Sequence, residues 1–450
     1  MNRDSVMLCT LARSGLILFL IGCARPTPRS APVGEGSETT APLSRTVALV
    51  NGTWLVEGRQ VARTRYIIGG VLRDRAPTRA DTTIDLGGGF IIPPFGEAHN
   101  HNVEASSRVD GLIARYLRDG VFYVENPDIL PRSRAALAGK VNNPLGVDVV
   151  FANGGLTGSG GHPIEIVRRN IARGSWTEAD GDGGFYWTID SRDDLARRWP
   201  SILAQNPDFI KVYLLYSEQY ARRASDSAAF GWRGLDPALL PEIVGRAHAA
   251  SLRVTAHIET AADFRAAVAA GVDQVAHMPG FRGDEHMQLP DAETYTLTDA
   301  DALEAARRGV VVVTTLGGAA ELEPTGPDSL TRRALDTLHR RNLATLRRAG
   351  VKLAIGSDSY RDDSKSEARY LHGLGVFSDA ELVKLWAYDT PRAIFPGRPI
   401  GSLAAGDESS FLVLACDPFT SFACIDSIRL RVKDGRVLRV PDASAAPAPR

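Results

Sequence analysis

Two histidines one residue apart, His99 and His101, end an apolar stretch that begins at Phe90. Because side chains alternate between the faces of a strand, positions i and i+2 point the same way, and two imidazoles at this spacing can approach one metal ion. The pair therefore predicts half of a metal site, which other parts of the chain must complete.

Candidates for the other half follow later apolar stretches. Histidines end Val254-Thr-Ala-His257 and Val275-Ala-His277, an aspartate ends Ala354-Ile-Gly-Ser-Asp358, and Lys211 lies inside a fourth stretch. Each alone has an ordinary explanation: a hydrogen-bonded histidine, a lysine that reaches the surface, or a turn. Together they favour a metal site, since imidazole and carboxylate groups suit zinc, with iron, cobalt or manganese as alternatives.

The stretches that carry these residues alternate with amphipathic segments of helix length, which predicts an α/β fold with a parallel sheet built from βα units. Eight such units favour a TIM (β/α)8 barrel over an open doubly wound sheet, and no Gly-x-Gly-x-x-Gly follows the first strand. Active-site residues of a barrel lie at the carboxyl ends of its strands, where these side chains fall. The predicted strands are 90–94, 121–125, 147–152, 209–214, 253–257, 274–277, 310–316 and 352–355.

Short β-strands separated by polar turns are predicted on both sides of the barrel segment. We expect residues 46–90 and 396–440 to be antiparallel β units that together form a small β-sandwich, with the barrel at 91–395.

The charge balance argues against one class of partner. The 450 residues include 52 Lys and Arg against 53 Asp and Glu, and no run is rich in Lys or Arg. The composition therefore predicts that nucleic acid is not a partner of this chain. The sequence leaves open whether the protein forms a homo-oligomer.

The first residues read as a targeting segment, a charged start followed by an apolar run too short to span a bilayer. Leu20-Ile-Gly-Cys23 resembles the lipobox of bacterial lipoproteins, which implies a signal peptide at 1–22 and lipidation of Cys23. Ala24 after the cysteine implies an outer-membrane anchor facing the periplasm, and the lipid would be the only membrane contact. The alternative is a simple secretory signal cleaved nearby. Residues 23–45 read as a flexible tether and 441–450 as a disordered tail.

In an oxidising compartment, Cys416 and Cys424 would be the only thiols of the mature domain. We predict a disulfide between them. The alternative is two buried thiols on neighbouring strands.

From about residue 46 to about residue 440 the chain resembles the amidohydrolase superfamily. The family signature is similar to Pro93-Pro-Phe-Gly-Glu-Ala-His99-Asn-His101, in which Glu97 replaces the usual aspartate. The resemblance implies two divalent metal ions, a CO2-derived carbamate on Lys211 that bridges them, and Asp358 as general base and acid. The more buried ion would be bound by His99, His101 and Asp358, and the more exposed ion by His257 and His277.

The loop Leu156-Thr-Gly-Ser-Gly-Gly-His162-Pro163 resembles the Gly-Gly-His loop of prolidase-like amidohydrolases and their imidazolonepropionase relatives. This likeness implies that His162 binds the substrate carbonyl or oxyanion and takes part in catalysis; the alternative is a structural turn. The tyrosines Tyr213, Tyr216 and Tyr360 are predicted to line the mouth of the site, although ordinary surface positions would fit them equally well.

The resemblance implies hydrolysis of an amide or peptide-like C–N bond, with a dipeptide or an N-acyl amino acid as the small-molecule substrate. The same site would also suit a cyclic amide, a lactone or an ester. A protein that kept the barrel only as a binding module would be expected to lose metal ligands, and none is lost here.

Overall fold

The computed structural model describes residues 46–76, 79–104, 106–281, 292–321 and 329–439. The predicted signal peptide at 1–22, the tether at 23–45 with Cys23, and the tail at 441–450 lie outside these residues. Within them, no helix is both long and apolar enough to cross a membrane.

The strands follow one another in this order: β1 (Thr46–Val56), β2 (Arg59–Ala62), β3 (Arg65–Ile68), β4 (Val71–Arg73), β5 (Thr82–Ile92), β6 (Phe95–Glu97), β7 (Val121–Asn126), β8 (Asp148–Phe151), β9 (Gly155–Thr157), β10 (Tyr186–Thr188), β11 (Phe209–Tyr213), β12 (Arg253–His257), β13 (Gln274–Ala276), β14 (Val311–Val313), β15 (Lys352–Ala354), β16 (Phe411–Leu414), β17 (Ile428–Lys433) and β18 (Arg436–Val437).

The α-helices are α1 (Val109–Arg118), α2 (Pro131–Ala136), α3 (Ile164–Ala172), α4 (Arg192–Ala204), α5 (Tyr220–Ser225), α6 (Leu240–Ala249), α7 (Ala261–Ala270), α8 (Ala292–Tyr295), α9 (Asp299–Arg308), α10 (Ser329–Arg348), α11 (Ser364–Leu374), α12 (Asp379–Lys384) and α13 (Thr390–Ile394). Local chemistry fixes several of their ends. Helix α7, for example, begins at a capping box of Thr260 and Asp263 and stops at Gly271, whose φ of 86° suits glycine.

The terminal strands combine in one mixed sheet, in the order β18-β17-β16-β5-β1-β3-β4 with β2 beside β1. Strand β5 pairs with β16, so the N-terminal and C-terminal segments share the sheet, in part as predicted. The expectation of purely antiparallel units is wrong at one pair, because β1 and β5 run parallel. Trp54 and Phe411 pack edge to face in the apolar core of this sheet.

The middle of the chain has the predicted α/β character, with two parallel sheets. One contains β6, β7 and β8, and the other has the order β10-β9-β11-β12-β13-β14-β15. The apolar strands are almost fully buried and contribute to one large hydrophobic cluster. Burial on both faces explains why they read as continuous apolar runs.

One predicted strand is assigned differently by the structure. Residues 90–92 are the end of β5 in the terminal sheet, and the strand that leads to the histidine pair is β6. Pro93 and Pro94 separate the two, because proline donates no hydrogen bond to a sheet ladder.

Cys416 and Cys424 form a disulfide in the connection between β16 and β17.

Candidate metal centre

A cavity of about 520 Å³ opens where the parallel strands end. The predicted ligand residues reach it from different strands: one histidine ends β12, another follows β13, the lysine lies in β11, and the aspartate follows β15. All six predicted ligands line this cavity: His99, His101, Lys211, His257, His277 and Asp358.

The carboxylate of Asp358 lies among three of the imidazoles. Its Oδ1 is 3.4 Å from Nε2 of His101 and 3.7 Å from Nε2 of His99, and its Oδ2 is 4.0 Å from Nδ1 of His277. Ligand atoms of His99, His277 and Asp358 lie within 4.8 Å of one another. One ion could be reached by all three side chains after small adjustments.

Unusual backbone conformations cluster at this point. His277, Thr315 and Asp358 have φ angles of 75°, 50° and 48°. Side chains other than glycine rarely occupy this left-handed region, and Thr315 is β-branched, which makes its conformation especially unfavourable. Such strain persists where surrounding contacts impose it, and it is commonest at functional sites.

A buried carboxylate fixes the position of Asp358 relative to His99. Glu97 Oε1 accepts a hydrogen bond from the backbone N–H of Ser357 at 2.8 Å, and Oε2 lies 2.7 Å from the Ser357 hydroxyl. Glu97 Oε1 also accepts from the His99 N–H at 3.3 Å. The backbone N–H of Asp358 donates to the carbonyl of His99 at 2.8 Å. Burial raises the pKa of Glu97 well above its usual value.

The imidazole of His277 is oriented from the neighbouring strand. Its Nδ1 lies 2.7 Å from the Thr315 hydroxyl, and its ring stacks on Phe281 at 4.0 Å. The turn that carries Thr315 is itself supported by Glu367, whose Oε2 accepts from the N–H of Gly317. A Cβ at position 317 would lie 2.9 Å from that oxygen, so glycine permits the close approach.

Lys211 is 1% exposed, and its ammonium makes no ion pair or hydrogen bond with the described residues. Burial lowers its pKa. The carboxylates of Asp128, Asp358 and Glu125 act on this pKa in the opposite direction, so nearby negative charge partly offsets the burial.

The donor set suits a divalent metal ion. Four imidazoles and one carboxylate are the groups that zinc and its neighbours bind. Nδ1 of His99 is buried without a hydrogen-bond partner among the described residues, and burial lowers the pKa of this histidine well below its usual value. A neutral imidazole is the form that binds a metal.

The predicted substrate contacts divide into two groups. His162, Tyr213 and Tyr360 line the cavity. Tyr216 is not among the lining residues; its ring packs under the guanidinium of Arg223.

No family model matches this sequence, and no curated protein matches it. Solved structures do match. The structure of an amidohydrolase superposes with a TM-score of 0.66 at 23% identity, covering 88% of this chain and 100% of that chain. Ochratoxinase from A. niger gives a TM-score of 0.67 at 17% identity, covering 88% and 96%. A prolidase complexed with N-methylphosphonate-L-proline gives 0.62 at 18% identity, covering 88% and 100%.

The chain has the amidohydrolase fold. The resemblance predicted from the sequence is thus confirmed at the level of the fold. Within this amidohydrolase fold, the structure adds residues that the sequence did not single out. Glu165 lies 2.6 Å from Nδ1 of His162, and Asp128 accepts a hydrogen bond from the hydroxyl of Tyr213.

The only sequence signals for these two partners were weak ones. Glu165 follows His162 by three residues at the start of α3, and Asp128 comes two residues after β7. The contacts of Glu97, Thr315 and Glu367 in the amidohydrolase fold had no local signal at all.

Proposed function

We propose that this protein is a metal-dependent hydrolase of amide or peptide-like C–N bonds, resembling prolidases in its chemistry. One observation carries the proposal: five separate strands and the residues that follow them bring four histidines, a lysine and an aspartate to one cavity. The prolidase and amidohydrolase structures of the same fold support it.

The proposal includes closure of the parallel strands into a (β/α)8 barrel. Two contacts between the outermost strands support closure: the N–H of Ala98 donates to the carbonyl of Ile355, and that of Asp358 donates to His99, both at 2.8 Å. On the other side, the N–H of Asp208 before β11 donates to Phe151 of β8 at 2.8 Å.

Two divalent ions, with zinc as our first choice, would be bound by the six cavity residues as the family resemblance implies. His99, His101 and Asp358 would bind one ion and His257 and His277 the other, with a carbamate on Lys211 between them. Metal ions in such a site lower the pKa of a bound water and polarise a substrate carbonyl.

The protein's own groups would handle the proton and the substrate. Asp358 would accept a proton at a carboxylate oxygen and return it to the leaving nitrogen. The ring of His162, whose Nδ1 lies 2.6 Å from Glu165, would face the substrate carbonyl.

We further propose that the chain is a lipoprotein, anchored through Cys23 to the outer membrane and facing the periplasm. The disulfide between Cys416 and Cys424 supports an oxidising compartment. Incorporation of labelled palmitate that is lost in Cys23→Ser would test the anchor; incorporation that persists in this variant would refute it.

The function is tested with the purified mature protein, loaded with zinc and assayed against dipeptides, N-acyl amino acids, cyclic amides, lactones and esters. We expect C–N hydrolysis that falls by about three orders of magnitude in His99→Ala. Elemental analysis should give two ions per chain, reduced in Lys211→Ala. Activity unchanged in both variants would contradict the mechanism. Bound ligand without turnover would favour a binding module.

A further inference from the structure

A buried carboxylate that the proposed reaction does not use lines the same cavity. Asp128 is 1% exposed and follows the carboxyl end of β7. Its Oδ2 accepts a hydrogen bond from the Tyr213 hydroxyl. Its Oδ1 has no hydrogen-bond partner among the described residues. A buried carboxylate oxygen without a hydrogen-bond donor is energetically costly. Oδ1 of Asp128 is therefore an acceptor that a bound ligand could satisfy.

The contact with Asp128 also limits what Tyr213 can do. A carboxylate only accepts hydrogen bonds, so the phenol proton points to Asp128. The phenol donates its one proton in this contact. Its oxygen has lone pairs to offer, but its single proton is already used. Tyr213 can therefore accept a hydrogen bond from a substrate but cannot donate one without breaking its contact with Asp128.

Gly155 of β9 makes room for this pair. A Cβ at that position would lie 2.5 Å from Cε2 of Tyr213 and 3.0 Å from Oδ1 of Asp128. The two side chains therefore pack directly against the strand backbone. Lys211 packs at the same place, with its Cγ 3.1 Å from that Cβ position, so this part of the cavity presents two acceptors beside the lysine.

We propose that Asp128 and Tyr213 form the subsite for the protonated α-amino group of the substrate. The proposal rests on the proposed hydrolase function and narrows its substrate to dipeptides or amino-acid amides with a free amino terminus. An ammonium group carries three donors, no acceptor and a positive charge, which complements a carboxylate and a phenol oxygen. A substrate carboxylate would meet two acceptors here, and an N-acyl group would bring only one neutral donor.

The test uses the zinc-loaded mature protein with matched substrates, a dipeptide and its N-acetyl derivative. We expect a kcat/KM at least about tenfold higher for the free amine. Asp128→Asn should lower kcat/KM for the free amine by about 10- to 100-fold, mainly through KM, and change the N-acetyl substrate by less than about threefold. Tyr213→Phe should give a smaller loss in the same direction. The matched control is Glu321→Gln, which removes another carboxylate of the cavity wall and should leave the substrate ratio unchanged.

Preference of the wild-type protein for the N-acetyl substrate, or an equal loss on both substrates in Asp128→Asn, would overturn the subsite and leave the hydrolase intact. If neither substrate is hydrolysed, the proposed function fails, and calorimetric titration with leucinamide and N-acetyl-leucinamide decides the subsite. Binding of leucinamide that weakens at least about tenfold in Asp128→Asn supports it; equal binding of the two compounds refutes it.

Discussion

Two buried carboxylates near the predicted ligands, Glu97 of β6 and Asp128 after the adjacent strand β7, have very different hydrogen-bond partners. Between β6 and β15, both oxygens of Glu97 have hydrogen-bond partners, and these partners include the backbone next to Asp358. Between β7 and β11, one oxygen of Asp128 has a partner in Tyr213 and the other has none. A fully satisfied carboxylate fixes the residues around it, whereas an unsatisfied one is prepared for a group that arrives with the substrate. We therefore connect Glu97 with the placement of the proposed ligands and Asp128 with the proposed recognition of substrate.

Removing the Glu97 side chain should give the largest loss of folding stability. Glu97→Ala leaves the Ser357 N–H and hydroxyl without an acceptor and opens a cavity, so we expect the free energy of unfolding to fall by about 3 to 5 kcal/mol. Urea denaturation of the metal-free protein measures this free energy. Glu97→Gln keeps an acceptor of the same shape and should recover most of the loss. If Glu97→Ala has wild-type stability, Glu97 does not fix the residues around it, and this interpretation is wrong.

This dependence on Glu97 could not be predicted from the sequence, because Glu97 and Ser357 are 260 positions apart. The set of candidate ligands could be predicted from the sequence, because each candidate follows or interrupts an apolar strand and such strands have a strong local pattern. The boundary between β5 and β6 was missed because an apolar run does not reveal to which sheet it belongs. The Pro93-Pro94 pair was the available signal.

The parallel pairing of β1 with β5 was also beyond the sequence. Strand direction depends on how the chain crosses between elements, and the alternation of side chains is the same for both directions. Likewise, the contact of Asp128 with Tyr213 joins residues 85 positions apart, each of which looks ordinary in its own segment.

Glu367, which supports the Thr315 turn, should impose a pH dependence on stability. Burial raises its pKa from 4.5 to about 7, against the lowering effect of the N–H groups of Leu316 and Gly317. Between these values the folded chain retains a proton that the unfolded chain has lost, so the free energy of unfolding falls as pH rises. A shift of about 2.5 units at about 1.4 kcal/mol each gives about 3.5 kcal/mol in full, of which about 3 kcal/mol falls between pH 4.5 and pH 8.

Glu367→Gln has no such proton, so its stability relative to the wild-type protein should rise by about 3 kcal/mol between pH 4.5 and pH 8. Urea denaturation of the metal-free proteins across this range measures the difference. Glu304→Gln is the control, because the pKa of exposed Glu304 is lowered to about 2 and its charge is constant over the range. Parallel curves for the wild-type protein and Glu367→Gln would exclude the effect.

The Thr315 hydroxyl should matter for metal affinity rather than for stability. Thr315→Val keeps the β-branched shape but removes the contact with Nδ1 of His277, so we expect zinc affinity to fall by about tenfold. Competition with a chelator measures this, and Thr315→Ser, which keeps the hydroxyl, should remain within about threefold of the wild-type protein. Equal losses in both variants would mean that packing, and not the hydrogen bond, orients the histidine.

The smallest change in stability is expected for Asp128→Asn, and its sign distinguishes the role of Asp128 from that of Glu97. Burial raises the pKa of Asp128, so in the metal-free protein its ionised form opposes folding as pH rises. Asparagine retains an acceptor for Tyr213 and carries no charge. The variant should therefore be more stable than the wild-type protein at pH 8, by up to about 1 kcal/mol, with the difference shrinking at low pH. Such a gain, beside the loss in Glu97→Ala, would mean that the chain keeps Asp128 for binding and not for folding. A destabilisation of more than about 1 kcal/mol at pH 8 would instead make Asp128 a structural residue like Glu97 and remove the distinction.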